Sequence, residues 1–255
     1  GDFQPLLQLA RFDLVFVALH GPVGEDGIIQ GFLEMLGVPY TGSGVLASAL
    51  AMDKWRSKCI WQQHGLLTPL AICLTDQSDA DIIDTLGLPI CIKPAVEGSS
   101  YGISKVTEVA QLRPAIALAQ QYGQAIAEKW IKGKEYTVGI VNDDVLPSIC
   151  IETPCQFYDY DAKYVVNTTQ YHCPSGLEEV QEKRLQALAK HAFDILGCRG
   201  WGRVDFMADD QGHFYLVELN TIPGLTETSL LPKAAKQYGW SFANLLQYII
   251  GAAIE

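Results

Sequence analysis

Residues 203–220 read R-V-D-F-M-A-D-D-Q-G-H-F-Y-L-V-E-L-N, a pattern that predicts two antiparallel strands joined by a tight turn. Side chains alternate across a strand, so Glu218 and Asn220 project from the same face. The second strand continues into T-I-P-G, where Pro223 and Gly224 end it. A largely apolar strand therefore finishes with a carboxylate and an amide side by side.

The register of the hairpin decides what faces these two side chains. If residues 211–212 form a two-residue turn, Asp205 lies opposite Glu218. The same register places Arg203 opposite Asn220. We therefore expect two carboxylates, an amide and a guanidinium on one face of the hairpin.

Two opposed carboxylates predict a cation between them, because like charges facing each other across a sheet repel. Asp205, Glu218 and Asn220 supply only oxygen-type ligands, which suit Mg²⁺. The alternative is a solvated acidic hairpin. The apolar neighbours Phe206 and Phe214 argue against that alternative, since a free surface hairpin would not expose them.

Composition limits the classes of partner. The chain has 255 residues, of which 49% are hydrophobic, and a net charge of −11, so it lacks the broad basic surface of proteins that bind nucleic acid or anionic membranes. Its seven cysteines are odd in number and include no C-x-x-C pair, which indicates reduced thiols in a cytosolic protein. Residues 35–52 are uncharged, but their proline and glycines favour a turn and a short helix over a membrane span.

The order of elements predicts an α/β (α+β) protein. Residues 13–19 form an apolar run typical of a buried parallel strand, followed by a helix and the short strand V-P-Y-T-G. Antiparallel sheets are expected after this piece. Helical signals cover residues 53–64, 78–87, 112–122 and 177–196, and strand signals cover residues 88–94, 125–131, 135–141 and 146–151.

Two lysines and a glycine loop predict a phosphate next to the metal. Lys93 ends a strand and is followed by E-G-S-S-Y-G, whose small residues and free N–H groups are typical of phosphate-binding loops. Lys54 begins a helix, where a cation opposes the helix dipole and therefore indicates a functional role. A flexible hairpin and a solvated surface lysine are the alternatives.

Other segments extend this hypothesis. Glu128 and Trp130 alternate onto one strand face near Glu135, where they could hold adenine and ribose; a core tryptophan beside surface acids is the alternative. His20 follows the first strand, where open α/β sheets bind ligands. The polar and aromatic residues 158–164 lie in a long irregular stretch, which indicates a lid or a plain surface loop.

Together, these segments resemble the D-alanine–D-alanine ligases, which have the ATP-grasp fold. The chain contains, in the family's order, H-G-x-x-G-E-D-G-x-x-Q-G, P-Y-T-G-S-G-V-x-A-S-A-L-x-M-D-K, K-P-x-x-E-G-S-S-x-G, E-K-W, Y-D-Y-x-A-K-Y, G-W-G-R-x-D and E-x-N-T-x-P-G-x-T-x-x-S-L. The match begins near Phe12 and continues to the C-terminus. The motifs are specific as a set, although not singly.

The resemblance implies three domains: an incomplete N-terminal substrate domain (1–42), a central ATP-grasp domain (43–131) and a C-terminal catalytic domain (132–255). It implies ATP-dependent joining of two D-alanines through an acyl phosphate, for peptidoglycan precursor synthesis. The implied cofactors are ATP and two Mg²⁺ or Mn²⁺ ions. The family also implies a cytoplasmic homodimer that binds neither nucleic acid nor membrane.

The resemblance also assigns roles to residues. The implied catalytic residues are Arg203, Ser99, Tyr164 and Gly224. The implied ATP ligands are Lys54, Lys93, Glu128, Lys129, Trp130, Glu135 and Lys163. The implied D-alanine contacts are His20, Tyr158, Ser229 and Leu230, and the implied metal ligands are Asp205, Glu218 and Asn220.

One departure concerns the N-terminus. The family begins with a loop whose glutamate pairs with the ammonium of the first D-alanine, and that loop is expected upstream of residue 1. Loss of the only acid facing a desolvated ammonium costs about 2–5 kcal/mol. We therefore expect weak or no ligation by residues 1–255 alone.

Three alternatives remain open: a ligase that makes D-alanyl-D-lactate, another ATP-grasp carboxylate–amine ligase, and a nucleotide-binding module without catalysis. The depsipeptide branch usually lacks a tyrosine after the lid lysine, so Tyr164 favours the dipeptide. The sequence S-L-L-P at residues 229–232 argues against other carboxylate–amine ligases.

Overall fold

The computed structural model describes residues 4–97, 101–152 and 169–254. The α-helices are α1 (Ile28–Leu36), α2 (Val45–Met52), α3 (Lys54–Gln63), α4 (Asp79–Leu86), α5 (Leu112–Gln120), α6 (Glu179–Ile195), α7 (Leu230–Tyr238) and α8 (Phe242–Gly251). The strands are β1 (Ala71–Cys73), β2 (Ile90–Pro94), β3 (Ser104–Val106), β4 (Ala125–Lys129), β5 (Lys134–Val141), β6 (Asp144–Val145), β7 (Ile149–Glu152), β8 (Gln170–His172), β9 (Trp201–Ala208) and β10 (Phe214–Asn220). Residues Gln4–Arg11 and Val109–Gln111 form 3-10 helices.

The central part of the chain forms a four-stranded antiparallel sheet in the order β1-β4-β2-β3. Leu112 and Ile116 of α5 pack against Ile90 of β2 in a buried core. Helix α4 begins where the sequence predicts, because Ser78 and Asp81 form a reciprocal capping box. This sheet presents Lys93 and Glu128 from its two central strands.

A six-stranded antiparallel sheet follows, in the order β10-β9-β5-β7-β8, with β6 paired to β5. Val138 of β5 and Leu185 of α6 belong to the core on one face of the sheet. Val141 of β5 and Leu231 of α7 belong to the core on the other face. The alternation along β5 thus buries both faces, and the α/β (α+β) class with antiparallel sheets is confirmed.

Helix α3 lies between the two sheets. Trp61 is completely buried in the core of the six-stranded sheet, and its indole N–H donates to the carbonyl of Ala192 in α6 at 3.0 Å. At the other end of α3, Asp53 pairs with Val96 just beyond β2, and the N–H of Lys54 donates to Ala95 O at 2.9 Å. One helix therefore contacts both sheets, and the predicted domain division at residue 43 stays a prediction.

The strand predicted at residues 13–19 is wrong as a regular element. The structure has a single parallel bridge, between Val15 and Tyr40, with α1 between its two halves. A parallel ladder uses every second N–H of the partner segment, and Pro39, two residues before the donor Thr41, has no N–H to give. The segment is held instead by one bridge and by the N–H of Val17, which donates to Thr41 Oγ1 at 3.0 Å.

The hairpin between β9 and β10 has the predicted register at its functional end but a different turn. Residues 210–212 form a three-residue loop closed by the N–H of Asp209 on His213 O, with Gly212 at φ +78°. The extra loop residue shifts the pairing by one position, and a β-bulge between Leu216 and Glu218 restores it.

No helix among the described residues has the length and apolar character needed to cross a bilayer. Residues 35–52 instead form the end of α1, a turn and α2. The six described cysteines are all free thiols, namely Cys59, Cys73, Cys91, Cys150, Cys173 and Cys198.

Candidate active site

Asp205 accepts several hydrogen bonds within the site. It pairs with Glu218 across β9 and β10, as the sequence predicts, and is 6% exposed. Arg203 donates to both of its oxygens, at 2.8 and 2.7 Å, because the two side chains share one face of β9. The amide of Asn220 donates to it at 3.0 Å and the hydroxyl of Thr137, in β5, at 2.5 Å. Four donors therefore fix the carboxylate.

Glu218 forms an ion pair with Lys54. The Lys54 ammonium lies 3.2 Å from Glu218 Oε2 and also donates to the carbonyl of Glu97. Asp53 precedes Lys54 as the N-cap of α3 and accepts the N–H of Arg56. The acidic cap and Glu218 offset the unfavourable position of a cation at the helix N-terminus.

A cleft opens at this point between the two sheets. It is lined by nine residues: Glu25, Ala51, Met52, Lys54, Glu97, Glu218, Leu219, Asn220 and Thr221. Burial raises the pKa of Glu25, although the N–H of Gly21, bonded to its carboxylate, opposes that shift. The cleft therefore combines the strand-end acid and amide with the first lysine, as the sequence predicts.

A second charged cluster lies in the four-stranded sheet. Lys93 Nζ is 3.0 Å from Glu128 Oε2, and Lys58 Nζ is 3.1 Å from Glu128 Oε1. All three side chains are at most 5% exposed. Burial alone would raise the pKa of Glu128, but the two ammonium groups outweigh it and hold that pKa below its usual value. Burial alone would lower the pKa of Lys93, but the Glu128 carboxylate outweighs burial, and the pKa of Lys93 is raised above its usual value.

The segment after β10 places a glycine against a hydroxyl. A Cβ built on Gly224 would meet Ser229 Oγ at 2.8 Å, so a side chain at 224 would displace that hydroxyl or the turn. Ser229 is the N-cap residue of α7, and its hydroxyl accepts the N–H of Thr226 at 3.1 Å. Leu230 is buried as the first residue of α7.

Comparison with known proteins assigns the family. A protein-family profile described as the D-ala D-ala ligase C-terminus matches residues 66–251, and one described as the D-ala D-ala ligase N-terminus matches residues 2–43. The chain belongs to the D-alanine–D-alanine ligase family. The family and the ligase class predicted from the motifs are thereby confirmed.

Individual relatives agree with this assignment. The D-alanine–D-alanine ligase of Alkalilimnicola ehrlichii is 51% identical over 247 residues, which are 96% of this chain and 79% of the relative. The solved D-alanine–D-alanine ligase from Bacillus anthracis complexed with ATP is 32% identical with a TM-score of 0.87, over 100% of this chain and 84% of that one. The VanG D-Ala:D-Ser ligase from Enterococcus faecalis is 36% identical with a TM-score of 0.87, over 94% of this chain and 73% of that one.

Trp130, Glu135 and His20 are not among the residues that line the cleft. Trp130 follows the last residue of β4 and lies beneath Lys105, whose Nζ is 4.4 Å from the ring centroid. The strand therefore ends before Trp130, and the alternation predicted for Glu128 and Trp130 stops at the exposed Lys129. Glu135 is half-buried in β5 opposite Met207 and Ile151, and His20 is exposed just before Gly21.

Four predicted site residues lie outside the described residues: Ser99, Tyr158, Lys163 and Tyr164. In contrast, Lys58 and Thr137 contact site residues and were not predicted. The spacing of Lys58, four residues after Lys54, was the available signal, since it places both on one helix face. Thr137 gave no such signal, because a threonine in a strand is ordinary.

Proposed function

We propose that this chain joins two D-alanines in an ATP-dependent reaction at the cleft between its two sheets. The observation that carries the proposal is the convergence of Lys54, from the start of α3, with Glu218 and Asn220, from the end of β10, in the lining of one cleft. A cation beside a carboxylate and an amide suits a metal–phosphate group. Family membership supports the same reaction.

The nucleotide is proposed to lie along the lysines. Lys54 and Lys93 would contact its phosphates, because both are buried cations; Lys54 lies beside Glu218, and Lys93 precedes the glycine loop in the sequence. Glu128, Lys129, Trp130, Glu135 and Lys163 are the proposed contacts of adenine, ribose and the remaining phosphate oxygens. The Bacillus anthracis relative was solved with ATP, which supports a nucleotide in this fold.

Mg²⁺ or Mn²⁺ is proposed at Asp205, Glu218 and Asn220. These residues fit a hard cation, since they offer oxygen ligands from two paired strands. Across the described part of the chain no three His, Cys, Asp or Glu side chains form a metal cluster, so two carboxylates and one amide need phosphate oxygens to complete the shell. When bound, two such ions would neutralise the charge of the transferring phosphoryl group.

The proposed reaction has two steps. The carboxylate of the first D-alanine attacks the γ-phosphorus, ADP leaves, and an acyl phosphate forms. The amine of the second D-alanine attacks the acyl carbon, loses a proton, and inorganic phosphate leaves. Arg203 and the N–H of Gly224 would donate to the developing negative charge. His20 with Tyr158, and Ser229 with Leu230, would contact the first and second D-alanine, while Ser99 and Tyr164 belong to the proposed lid.

Phosphate release tests this proposal. Purified protein is incubated with ATP and Mg²⁺, with D-alanine, D-lactate, D-serine or L-alanine as acceptor. We expect the largest release with D-alanine, at a low rate for residues 1–255 alone, and a D-alanyl-D-alanine product by mass spectrometry. The D-serine arm is included because the VanG relative is a D-Ala:D-Ser ligase. Release with none of the acceptors, together with no nucleotide binding, would contradict the proposal.

We further propose a cytoplasmic homodimer, on family resemblance. The three-domain division at residues 1–42, 43–131 and 132–255 is proposed on the same ground. Light scattering coupled to gel filtration measures the oligomeric state, and limited proteolysis locates exposed boundaries.

A further inference from the structure

Lys58 is a buried cation with no role in the proposed reaction. Its side chain is 1% exposed, which is rare for lysine because an unpaired buried charge is costly. It projects from α3, the helix between the two sheets, one turn after Lys54. A lysine in such a place needs partners, and it has them on both sheets.

The first partner of Lys58 is Glu128 in the four-stranded sheet. Lys58 lies against Oε1 of that carboxylate, and Lys93 lies against Oε2. The carboxylate is therefore held by two ion pairs, one at each oxygen. The three side chains together carry one surplus positive charge, which is suited to an anionic ligand.

The second partner of Lys58 is the backbone of β10. Its ammonium donates to the carbonyl of Leu216 at 3.3 Å. The N–H of Leu216 donates to Leu67 O at 2.8 Å, so this residue is anchored through both of its backbone groups. Leu216 is the residue at which the β-bulge begins, immediately before the restored register at Glu218.

The β-bulge next to Leu216 determines what Glu218 faces. Without the bulge, the pairing set by the three-residue loop would place Glu218 one position out of register with Asp205. Lys58 therefore contacts two parts of the proposed site. It bonds to Leu216, two residues before the proposed metal ligand Glu218, and it pairs with Glu128, a proposed nucleotide ligand. Lys54 contacts Glu218 itself from the preceding helical turn.

We propose that Lys58 is a positioning residue that holds Glu128 and the Leu216–Glu218 stretch in fixed relation, and so couples the nucleotide half of the site to its metal half. This inference rests on the proposed nucleotide and metal site. Removal of the ammonium leaves Glu128 free to turn toward Lys93 alone and releases the carbonyl of Leu216. Both changes weaken binding without removing any group that touches the ligand.

Lys58→Met is the primary test, with Lys183→Met as the matched control, because Lys183 is an exposed lysine of α6. Calorimetry measures ADP affinity with and without Mg²⁺. We expect Lys58→Met to lower Mg²⁺-ADP affinity about tenfold, the effect typical of residues that orient a binding group. We expect the KM for ATP to rise with it, the KM for D-alanine to stay unchanged, and the control to match the wild type.

A double-mutant cycle separates positioning from stability. If Lys58 acts through Glu128, Lys58→Met changes ADP affinity less in the Glu128→Gln background than in the wild type. Lys58→Arg retains the charge and should recover part of the affinity. A stability defect in Lys58→Met with wild-type ADP affinity would overturn the proposal, as would additive effects in the cycle.

Two further outcomes are informative. Failure of both Lys58→Met and Lys58→Arg to fold would assign Lys58 to stability alone and would also contradict the inference. Failure of the wild-type protein to bind Mg²⁺-ADP would instead contradict the proposed nucleotide site, so the two failures are distinguishable.

Discussion

The Lys54 ammonium lies 3.2 Å from the Glu218 carboxylate. Lys54 is proposed to bind phosphate and Glu218 to bind a metal ion, so in the unliganded protein the two side chains neutralise each other. Both side chains are largely withdrawn from solvent, at 8% and 21% exposure, so solvent screens the pair only partly. A divalent ion bound to Glu218 would repel the Lys54 ammonium, and a phosphate paired with that ammonium would relieve the repulsion. Metal and nucleotide should therefore bind with positive coupling.

We predict that Lys54→Met increases the affinity for Mn²⁺ alone and decreases the affinity for Mn²⁺-ADP. The first change follows because Glu218 loses its competing cation, and the second because the phosphates lose a contact. Electron paramagnetic resonance of free Mn²⁺ measures both affinities. Lys183→Met serves as the control, since it removes an exposed lysine. A decrease in both affinities would refute the competition between Lys54 and metal.

Thr137→Val should weaken metal binding, although residue 137 is not itself a proposed metal ligand. The hydroxyl of Thr137 donates to Asp205 Oδ1, and valine keeps the shape while removing the donor. We expect a loss of about 1 kcal/mol in the free energy of unfolding. We also expect a higher Mg²⁺ concentration at half-maximal phosphate release, because Asp205 becomes less well oriented.

Thr85→Val is the control for this prediction. The hydroxyl of Thr85 bonds to the carbonyl of Asp81 on the exposed surface of α4. We expect it to leave the Mg²⁺ requirement unchanged. Equal Mg²⁺ requirements in Thr137→Val and the wild type would show that Arg203 and Asn220 suffice to orient Asp205.

Much of the β9–β10 hairpin, which carries Asp205 and Glu218, could be predicted from the sequence, although for a partly wrong reason. The turn was predicted to contain two residues and contains three, yet Asp205 still pairs with Glu218 because the bulge removes the shift. Alternation along a strand is a local property and survives such an error. The bulge itself depends on how Leu216 contacts α3 and the segment after it, and no local pattern reports that.

The residues that sequence reasoning missed share one property. Lys58 and Thr137 act on other side chains, and their partners come from elements distant in the chain. Burial of Lys58 results from the placement of α3 between two sheets, which is a tertiary fact. The strand predicted at residues 13–19 failed for a similar reason, because its pairing depends on a partner that offers only one bridge.

Gly224→Ala should impair turnover while nucleotide affinity stays close to the wild-type value. The new Cβ would lie 2.8 Å from Ser229 Oγ, so either the hydroxyl of Ser229, a proposed D-alanine contact, or the turn that carries the N–H of residue 224 must move. Loss of one donor to a developing oxyanion typically costs about 100-fold or more in kcat. Steady-state kinetics and ADP calorimetry measure the two quantities separately.

Gly251→Ala provides the comparison for this substitution. Gly251 is the last residue of α8 and has no atom within 4 Å of a built Cβ. We expect it to leave kcat unchanged. A kcat for Gly224→Ala within twofold of the wild type would remove Gly224 from the proposed reaction.

Nucleotide affinity and folding stability should respond to alkaline pH in opposite directions, and Lys58 is the reason. Burial lowers the pKa of Lys58 to about 8, although Glu128 opposes the shift. The other groups facing it are Lys93 and Cys91, and burial raises the pKa of Cys91 to about 12, so that thiol stays neutral. As pH rises through about 8, Lys58 loses its charge and Glu128 keeps only Lys93. We therefore expect the affinity for ADP to fall.

The contribution of Lys58 to folding stability should change in the opposite direction over the same pH range. In the unfolded chain Lys58 keeps its proton up to about pH 10.4, so between pH 8 and that value the unfolded state binds more protons than the folded state. The contribution of Lys58 to the free energy of unfolding then rises with pH, because the cost of a buried cation is relieved. Comparison of the wild type with Lys58→Met, by urea unfolding and ADP calorimetry from pH 7 to 10, isolates both effects. Parallel pH profiles for the two proteins would show that Lys58 does not titrate in this range.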